Sequence, residues 1–527
     1  MKTRIHIALI ALVLAVASIA VGQQNAKLGK VEFPNSCSPA VQEKLLRGIA
    51  MLHSFYYSAT QRAFEDVAAE DNSCVIAAWG YASILMSNPL QGIGASPKGA
   101  QQAQIAIDKG RQMGAKTDRE RDYLEAVAAY YQDFSNRTER ERQLARAKAY
   151  EALAAKYPND DEAQIFYALY LAGTQTASDQ TYSAYLKSAA ILEKQFTKHP
   201  DHPGVAHYLI HSYDAPPIAQ QGVPAARRYA GIAPDAPHAL HMPSHIFVRL
   251  GYWQDSIRSN IASDASARRL AEEHKAEAHY QTHALDFLHY SYLQSGQESK
   301  AVEVVARADQ VIGASRERKL DYQTFLAART ALELHRWKEA AALKDPALAA
   351  DKLDTIRWVR AIGAARSGDV PAAESAVAAL QESVAAREAQ SLREGYPPPK
   401  EKASDQREAE AWLAFAKRET DAALAELRAA VAYQERNGGE TVNMPAREML
   451  ADMLLELNRP SDALFEYQTV LKNTPNRFDA LLGGARAAEA AGHSDLAQSL
   501  YAQLAQVCPP GADRPELKEV ETHLAKK

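Results

Sequence analysis

The chain has 527 residues, of which 47% are hydrophobic and 24% are charged, and its formal net charge is −5. This length predicts about three globular domains or one long repeat array. The mild negative charge excludes the strongly basic surface typical of nucleic-acid-binding proteins, so we expect no nucleic-acid partner. The 25 Gly and 24 Pro are too few for a collagen-like or low-complexity chain, and they favour helices with short connections.

Residues 1–22 predict a secretory signal peptide. Lys2 and Arg4 precede an apolar run from Ile7 to Ile19, and small residues follow that run. The run of about 13 residues is shorter than the roughly 20 that cross a membrane, which disfavours the alternative of an uncleaved anchor. We therefore expect a periplasmic or secreted protein with no membrane span after removal of the signal.

Export permits disulfide bonds, but the sequence contains only three cysteines. Cys37 and Cys74 each precede a predicted helix near the N-terminus and are able to pair, which would leave Cys508 over. Three cysteines are too few for a disulfide framework. We expect the stability of the fold to come from helix packing.

Small and aromatic residues recur with a fixed period near the C-terminus. Ala463, Tyr467 and Pro475 have the small–aromatic–Pro spacing of a helix-pair repeat, and Ala497 and Tyr501 follow the first two by 34 residues. This pattern resembles the tetratricopeptide repeat (TPR), a two-helix unit with that period. The resemblance implies an all-α fold, a TPR-like α-solenoid of stacked antiparallel helix pairs in which neighbours share a core. Weaker signatures of the same kind recur upstream, near residues 48, 80, 251, 296, 368 and 421.

A Pro-rich stretch interrupts the predicted array. Residues 391–403 contain three consecutive prolines and predict a linker, with one long inter-repeat loop as the alternative. We assign residues 23–390 to an N-terminal and middle TPR-like solenoid. We assign residues 404–527 to C-terminal TPR repeats, whose expected role is partner binding or capping of the array.

Histidine is concentrated in one part of the chain. Eleven of the 16 His lie between residues 199 and 289. Several of them are spaced by three, four or seven residues, which places each set on one face of a helix. These sets are His207 and His211; His238, His241 and His245; and His279 and His283. In TPR proteins the first helix of each pair lines the concave groove, so the resemblance implies a His-rich groove over about residues 200–295.

Aligned imidazoles of this kind predict a metal site, because neutral imidazole binds Zn, Cu and Fe. The predicted ligands are His207, His211, His238, His241, His245, His283 and Asp286. Seven ligands exceed one tetrahedral shell, so two metal ions are an option. The carboxylates nearby in sequence are candidates for a ligand, for an acceptor that orients an imidazole, or for a general base. They are Asp214, Asp235, Glu277 and Asp286.

Three other interpretations remain open for the same residues. The imidazoles can bind a peptide or protein partner, or a glycan, in the groove without metal, or they can simply pack. A metal-dependent hydrolase or oxidase is the third option and requires an open coordination position and a base. The zinc-protease motif His-Glu-x-x-His is missing, since Tyr208 stands beside His207.

The sequence around the central histidines also contains two prolines with structural meaning. Pro237 predicts the first turn of a helix, and Pro243 predicts a kink between His241 and His245. The whole block, His-x-x-His-Met-Pro-Ser-His-Ile-Phe from His238, resembles a group of exported bacterial TPR proteins. That resemblance implies a shared fold and a shared His-lined groove, but no reaction.

Overall fold

The structure is a computed structural model that describes residues 26–273, 277–393, 401–438 and 443–525. The predicted signal peptide and the three consecutive prolines of the predicted linker lie outside these residues. Within the described ranges the regular secondary structure is helical, without a strand. None of the helices described is both long and apolar enough to span a bilayer.

The helices follow one another with short connections. The first part of the chain forms α1 (Gln42–His53), α2 (Tyr57–Glu70), α3 (Val75–Leu85), α4 (Pro97–Met113), α5 (Asp118–Tyr131), α6 (Glu139–Lys156), α7 (Asp161–Ala172) and α8 (Ser183–Lys198). The middle part forms α9 (Pro203–Ser212), α10 (Val223–Ile232), α11 (Pro237–His241), α12 (Pro243–Arg249), α13 (Trp253–Glu272), α14 (Ala278–Gln294), α15 (Glu298–Arg307), α16 (Arg316–Glu333) and α17 (Trp337–Ala341).

The last part forms α18 (Asp354–Arg366), α19 (Val370–Arg393), α20 (Ser404–Ala416), α21 (Thr420–Asn437), α22 (Ala446–Glu456), α23 (Pro460–Asn473), α24 (Phe478–Ala490), α25 (Ser494–Val507) and α26 (Leu517–Leu524). Single turns of 3₁₀ helix lie at Pro39–Val41, Phe134–Asn136, Ala219–Gly222, Ala308–Gln310 and Ala350–Lys352. Consecutive helices pack as pairs, and each pair packs on the next. The predicted all-α, TPR-like solenoid is confirmed.

The small–aromatic pattern of the sequence explains how neighbouring pairs fit together. The ring of Tyr467 on α23 lies against Gly483 of α24, where an added Cβ would be 2.4 Å from the ring. Near the N-terminus, Phe64 on α2 lies in the same way against Gly80 of α3, at 2.2 Å. Any side chain at either glycine would push the two helices apart, so the aromatic ring and the glycine together set the spacing of the pairs.

The helices on both sides of the Pro-rich stretch share one core. Helices α18 and α19 pack against α20, and Trp358 and Leu380 belong to the same buried cluster as Trp412. The predicted boundary at residues 391–403 therefore does not separate two cores. The main cores are instead one over residues 28–280 and one over residues 328–520, with a smaller cluster at residues 257–334 between them.

A buried arginine fastens the C-terminal helices to the middle of the array. Arg477, at the start of α24, donates to the carboxylates of Glu333 at 2.8 Å and Glu448 at 2.6 Å. It also donates to the hydroxyl of Tyr290 on α14 at 2.9 Å. All three charged side chains are fully buried. The second half of the solenoid is thus held against the helix that carries His283.

The structure contains the cysteine pair that the sequence permits. Cys37 and Cys74 form a disulfide bond, and Cys508 is free. The bond ties the segment before α1 to the start of α3.

Candidate metal centre

Four helices of the middle region carry the central imidazoles. Pro237 occupies the first turn of α11, as predicted, where its missing N–H costs no hydrogen bond. The helix is interrupted at Pro243, because α11 ends at His241 and α12 begins at Pro243, although Met242 between them keeps helical dihedral angles. Helices α9 and α14 supply the remaining histidines.

His207, His211 and His238 form a first group, which we call the first triad. One ring nitrogen from each lies within 4.8 Å of the other two. The Nε2 atoms of all three are buried and have no hydrogen-bond partner. A buried polar atom without a partner costs about 1–3 kcal/mol, and three of them on neighbouring rings are typical of metal ligands.

The backbone fixes the protonation of His207. Its Nδ1 lies 2.7 Å from the carbonyl oxygen of His53, and a carbonyl can only accept a hydrogen bond. Nδ1 therefore carries the hydrogen, and Nε2 of the neutral ring presents a lone pair to the centre of the triad. Carbonyl and carboxylate partners commonly orient metal-binding histidines in this way.

His241, His245 and His283 form the second triad, again with one nitrogen from each within 4.8 Å of the others. Nδ1 of His241 donates to Oδ1 of Asn260 at 2.7 Å, and the Asn260 amide nitrogen donates onward to a backbone carbonyl. Nδ1 of His245 donates to the Asp214 carboxylate at 2.8 Å. The Nε2 atoms of His241 and His245 are then directed at each other, 3.1 Å apart.

Burial keeps most of these imidazoles neutral. Together with a smaller contribution from neighbouring imidazoles, it lowers the pKa of His207 and of His283 to about 3. Burial and the same repulsion hold the pKa of His211, His238 and His241 well below the ordinary value of 6.5. Neutral imidazole is the form that binds metal ions, so the triads are prepared for a cation at neutral pH.

The two triads are adjacent. The ring of His238 lies 6.0 Å from that of His241 and 6.4 Å from that of His283, measured between centroids. The rings of His211 and His245 are 5.9 Å apart. The structure thus brings all six predicted histidine ligands into one cluster, divided into two sets of three.

The predicted carboxylates are placed differently. Asp286 accepts from Arg329 at 2.7 Å and belongs to neither triad. Asp235 accepts from the backbone of Lys27 at 2.6 Å, and Glu277 accepts from the backbone of Ser58 at 2.8 Å. Only Asp214 contacts a triad imidazole, and it also accepts from Arg249 at 2.8 Å.

Two features of the site have no signal in the sequence pattern. Asn260 lies on α13, outside the histidine helices, and the carbonyl of His53 is a backbone atom at the end of α1. Neither a spacing rule nor a motif marks them. The aromatic residues Phe55 and Phe287, which pack on the triads, were equally hidden among the other apolar residues.

In a third histidine cluster, the ring nitrogens have hydrogen-bond partners. His53, Glu162 and His202 also lie within 4.8 Å of one another. Both nitrogens of His53 are engaged, one by Tyr208 at 2.9 Å and one by Glu162 at 3.0 Å. His202 contacts Glu162 through Nε2 and accepts from Val205 through Nδ1. This cluster is a satisfied hydrogen-bond network that anchors α1, α7 and α9.

The helix pairs define the chain as a TPR-like repeat protein. No known family and no curated protein matches the sequence. Among solved structures, the chain is similar to a human IFIT1 dimer with PPP-AAAA, at 11% identity over 87% of this chain and 94% of that chain, with a TM-score of 0.36. It is also similar to the APC/C hetero-tetramer Cut9-Hcn1, at 12% identity over 91% and 95% of the two chains, with a TM-score of 0.30. These likenesses concern the fold alone, and the similarity of the His238 block to exported bacterial proteins stays a prediction.

Proposed function

We propose that this TPR-like protein is exported and binds transition metal ions through its six clustered histidines. Zn, Cu and Fe are the metals that imidazole ligands suit. The observation that carries the proposal is the proximity of His207, His211 and His238, whose buried Nε2 atoms have no hydrogen-bond partner. The proposed ligand set omits Asp286, because its carboxylate pairs with Arg329.

The arrangement fits a metal site better than it fits packing. Packed imidazoles have hydrogen-bond partners at both nitrogens in the cluster of His53, Glu162 and His202, and the isolated ring of His289 leaves one nitrogen without a partner, whereas the first triad brings three such rings together. In the two triads, the Nδ1 atoms of His207, His241 and His245 have such partners, and the Nε2 atoms of His241 and His245 face each other. Oriented outer nitrogens and lone pairs directed at a common centre are the construction of a metal site.

The test measures metal content directly. Protein purified without a metal-affinity column is stripped with a chelator, loaded separately with Zn²⁺, Cu²⁺, Fe²⁺ or, without oxygen, Cu(I), desalted and analysed by elemental mass spectrometry. We expect at least about one ion per chain for one of these ions, and a value below about 0.3 for all four would overturn the proposal.

A matched pair of variants tests the location. His211→Ala/His241→Ala removes one ligand from each triad and should lose most of the metal. His199→Ala/His279→Ala removes two histidines from the same part of the chain but from neither triad, and should keep it. A different result is expected if the protein is instead an adaptor that binds a peptide without metal. Substituting His238, His241 and His245 by Ala would then weaken partner binding and leave the metal content unchanged.

A further inference from the structure

We propose that the histidine cluster holds two monovalent copper ions, one in each triad, each bound by three imidazoles. This inference rests on the proposed metal-binding function and names its cargo as Cu(I). Three observations support it: the division of the six histidines into two triads, the lack of any carboxylate in either triad, and a phenylalanine ring packed on each triad.

The division into two triads sets the number of ions. Within each set of three, one nitrogen per residue lies within 4.8 Å of the others. Ligand nitrogens about 2.0–2.1 Å from one ion are about 3.3 Å apart in a tetrahedral arrangement, and the His241 and His245 Nε2 atoms are 3.1 Å apart. Each triad therefore suits one ion.

Charge selects the oxidation state. Six neutral imidazoles contribute no negative charge, and two divalent ions would bring four positive charges into a buried cluster. Asp214 is the only carboxylate that contacts a triad imidazole among the described residues, and Arg249 already neutralises it. Burying uncompensated charge is costly. Two Cu(I) ions bring half the charge of two Zn²⁺ or Cu²⁺ ions.

The number of ligands in each triad also favours Cu(I). Zinc in proteins is almost always four-coordinate, so a three-histidine zinc site needs a water or another ligand in the fourth position. In the described part of the chain, no fourth protein ligand joins either triad. Three nitrogen donors already form a complete set for Cu(I), which is stable with three ligands.

A phenylalanine covers each triad. The ring of Phe55 lies 4.5, 6.2 and 5.8 Å from those of His207, His211 and His238, measured between centroids. Phe287 lies 4.8, 4.8 and 5.4 Å from His241, His245 and His283. Both rings are buried. An apolar ring against all three imidazoles disfavours the water that a four-coordinate Zn²⁺ or Cu²⁺ ion would need, and it leaves a three-coordinate ion undisturbed.

The test is an anaerobic titration of the metal-free full chain with Cu(I), using the chromogenic Cu(I) chelator bicinchoninate as competitor. We expect two Cu(I) per chain, and an excess of about tenfold Zn²⁺ should leave that number unchanged. His238→Ala, in the first triad, and His283→Ala, in the second, should each retain one Cu(I). His279→Ala, one helical turn from His283 and outside both triads, should retain two.

Each other outcome overturns the inference. One Cu(I) per chain in the wild type contradicts the two separate triads. Two Zn²⁺ with no Cu(I) contradicts the charge argument but leaves the proposed metal-binding function intact, whereas no binding of any metal removes both. Circular dichroism establishes that the variants are folded. X-ray absorption of the copper-loaded wild type provides a readout without substitution, with three imidazole ligands per Cu(I) expected and four-coordinate Cu²⁺ contradictory.

Discussion

The Nε2 atoms of His241 and His245 lie 3.1 Å apart, and the Nδ1 atom of each ring has an acceptor of its own. Asn260 accepts from Nδ1 of His241, and Asp214 accepts from Nδ1 of His245. Whenever both rings are neutral, two lone pairs therefore face each other at hydrogen-bond distance. A proton or a metal ion between the two nitrogens replaces this repulsion by attraction to both lone pairs. His283, the remaining imidazole of the triad, adds a third nitrogen ligand, which suits a metal ion rather than a proton.

Removing the acceptor of His245 should weaken the second triad alone. In Asp214→Asn the amide no longer supplies a negative charge at Nδ1, so the ring loses its fixed orientation and part of its basicity. We expect the affinity of one of the two metal sites to fall by about 10–100-fold, measured by competition with a chelator of known affinity.

Asp286→Asn is the matched control for that experiment. Asp286 pairs with Arg329 and lies outside both triads, so its variant should keep both metal affinities. A loss of metal in Asp286→Asn would restore this residue as a ligand. An unchanged affinity in Asp214→Asn would show that Asp214 does not orient the site.

Acid should unfold the metal-free protein through its buried histidines. The pKa of His283 is about 3 in the folded chain and about 6.5 in the unfolded chain. The unfolded state therefore binds more protons between these values. The stabilisation is complete above pH 6.5 and is lost as the pH falls toward 3, by about 1.4 kcal/mol per pH unit for each such histidine. His207, whose pKa is also about 3, adds an equal contribution.

Proton uptake on unfolding measures this effect without a two-state assumption. We expect unfolding of His283→Gln in denaturant at pH 5 to take up about one proton fewer than unfolding of the wild type. His493→Gln is the control, because that side chain is exposed before and after unfolding. Equal uptake by wild type and His283→Gln would contradict the lowered pKa.

The disulfide should stabilise the N-terminal helices. Cys37 and Cys74 are 37 residues apart, and closing a loop of that length contributes about 4 kcal/mol in the chain-entropy model. Cys37→Ser/Cys74→Ser should therefore melt at a lower temperature than the wild type, while Cys508→Ser should melt as the wild type does. Equal melting of all three proteins would contradict the contribution assigned to the bond.

Replacing the buried Arg477 should lower the stability of the fold far more than replacing an exposed arginine. Arg477→Met leaves Glu333 and Glu448 buried without their partner, and we expect a loss of about 3–5 kcal/mol. Arg486→Met breaks an exposed pair with Glu519 and should cost no more than about 1 kcal/mol. Amide hydrogen exchange in α14 and α24 measures both effects. Similar exchange in the two variants would show that Arg477 does not fasten the C-terminal helices.

Residue spacing predicted the fold and the six histidines because both depend on local periodicity. The 34-residue interval between Ala463 and Ala497 marks a repeated helix pair, and the interval of four between His207 and His211 marks one helix face. Once the helices are known, each set of imidazoles must point in one direction. The interruption of the helix at Pro243 was predictable for the same reason, since proline acts on the turn in which it stands.

Other features depend on contacts between distant parts of the chain, and residue spacing could not predict them. Asn260 reaches His241 from α13, and Asp286 is occupied by Arg329 on α16, a pairing that no spacing rule reveals. His238 and His241 are only three residues apart but belong to different triads. His238 groups with the histidines of α9, and His241 groups with His283 of α14. The Pro-rich stretch predicted a boundary from composition, whereas α20 packs on α18 and α19 across it.

The most direct test of the account is the anomalous diffraction of crystals of the metal-loaded protein, recorded at the absorption edge of the bound metal. We predict two anomalous peaks per chain. One should lie about 2.0–2.1 Å from ring nitrogens of His207, His211 and His238, and the other at the same distance from those of His241, His245 and His283. Crystals of fully loaded protein without a peak at either triad, or with the metal bound elsewhere, would contradict the account.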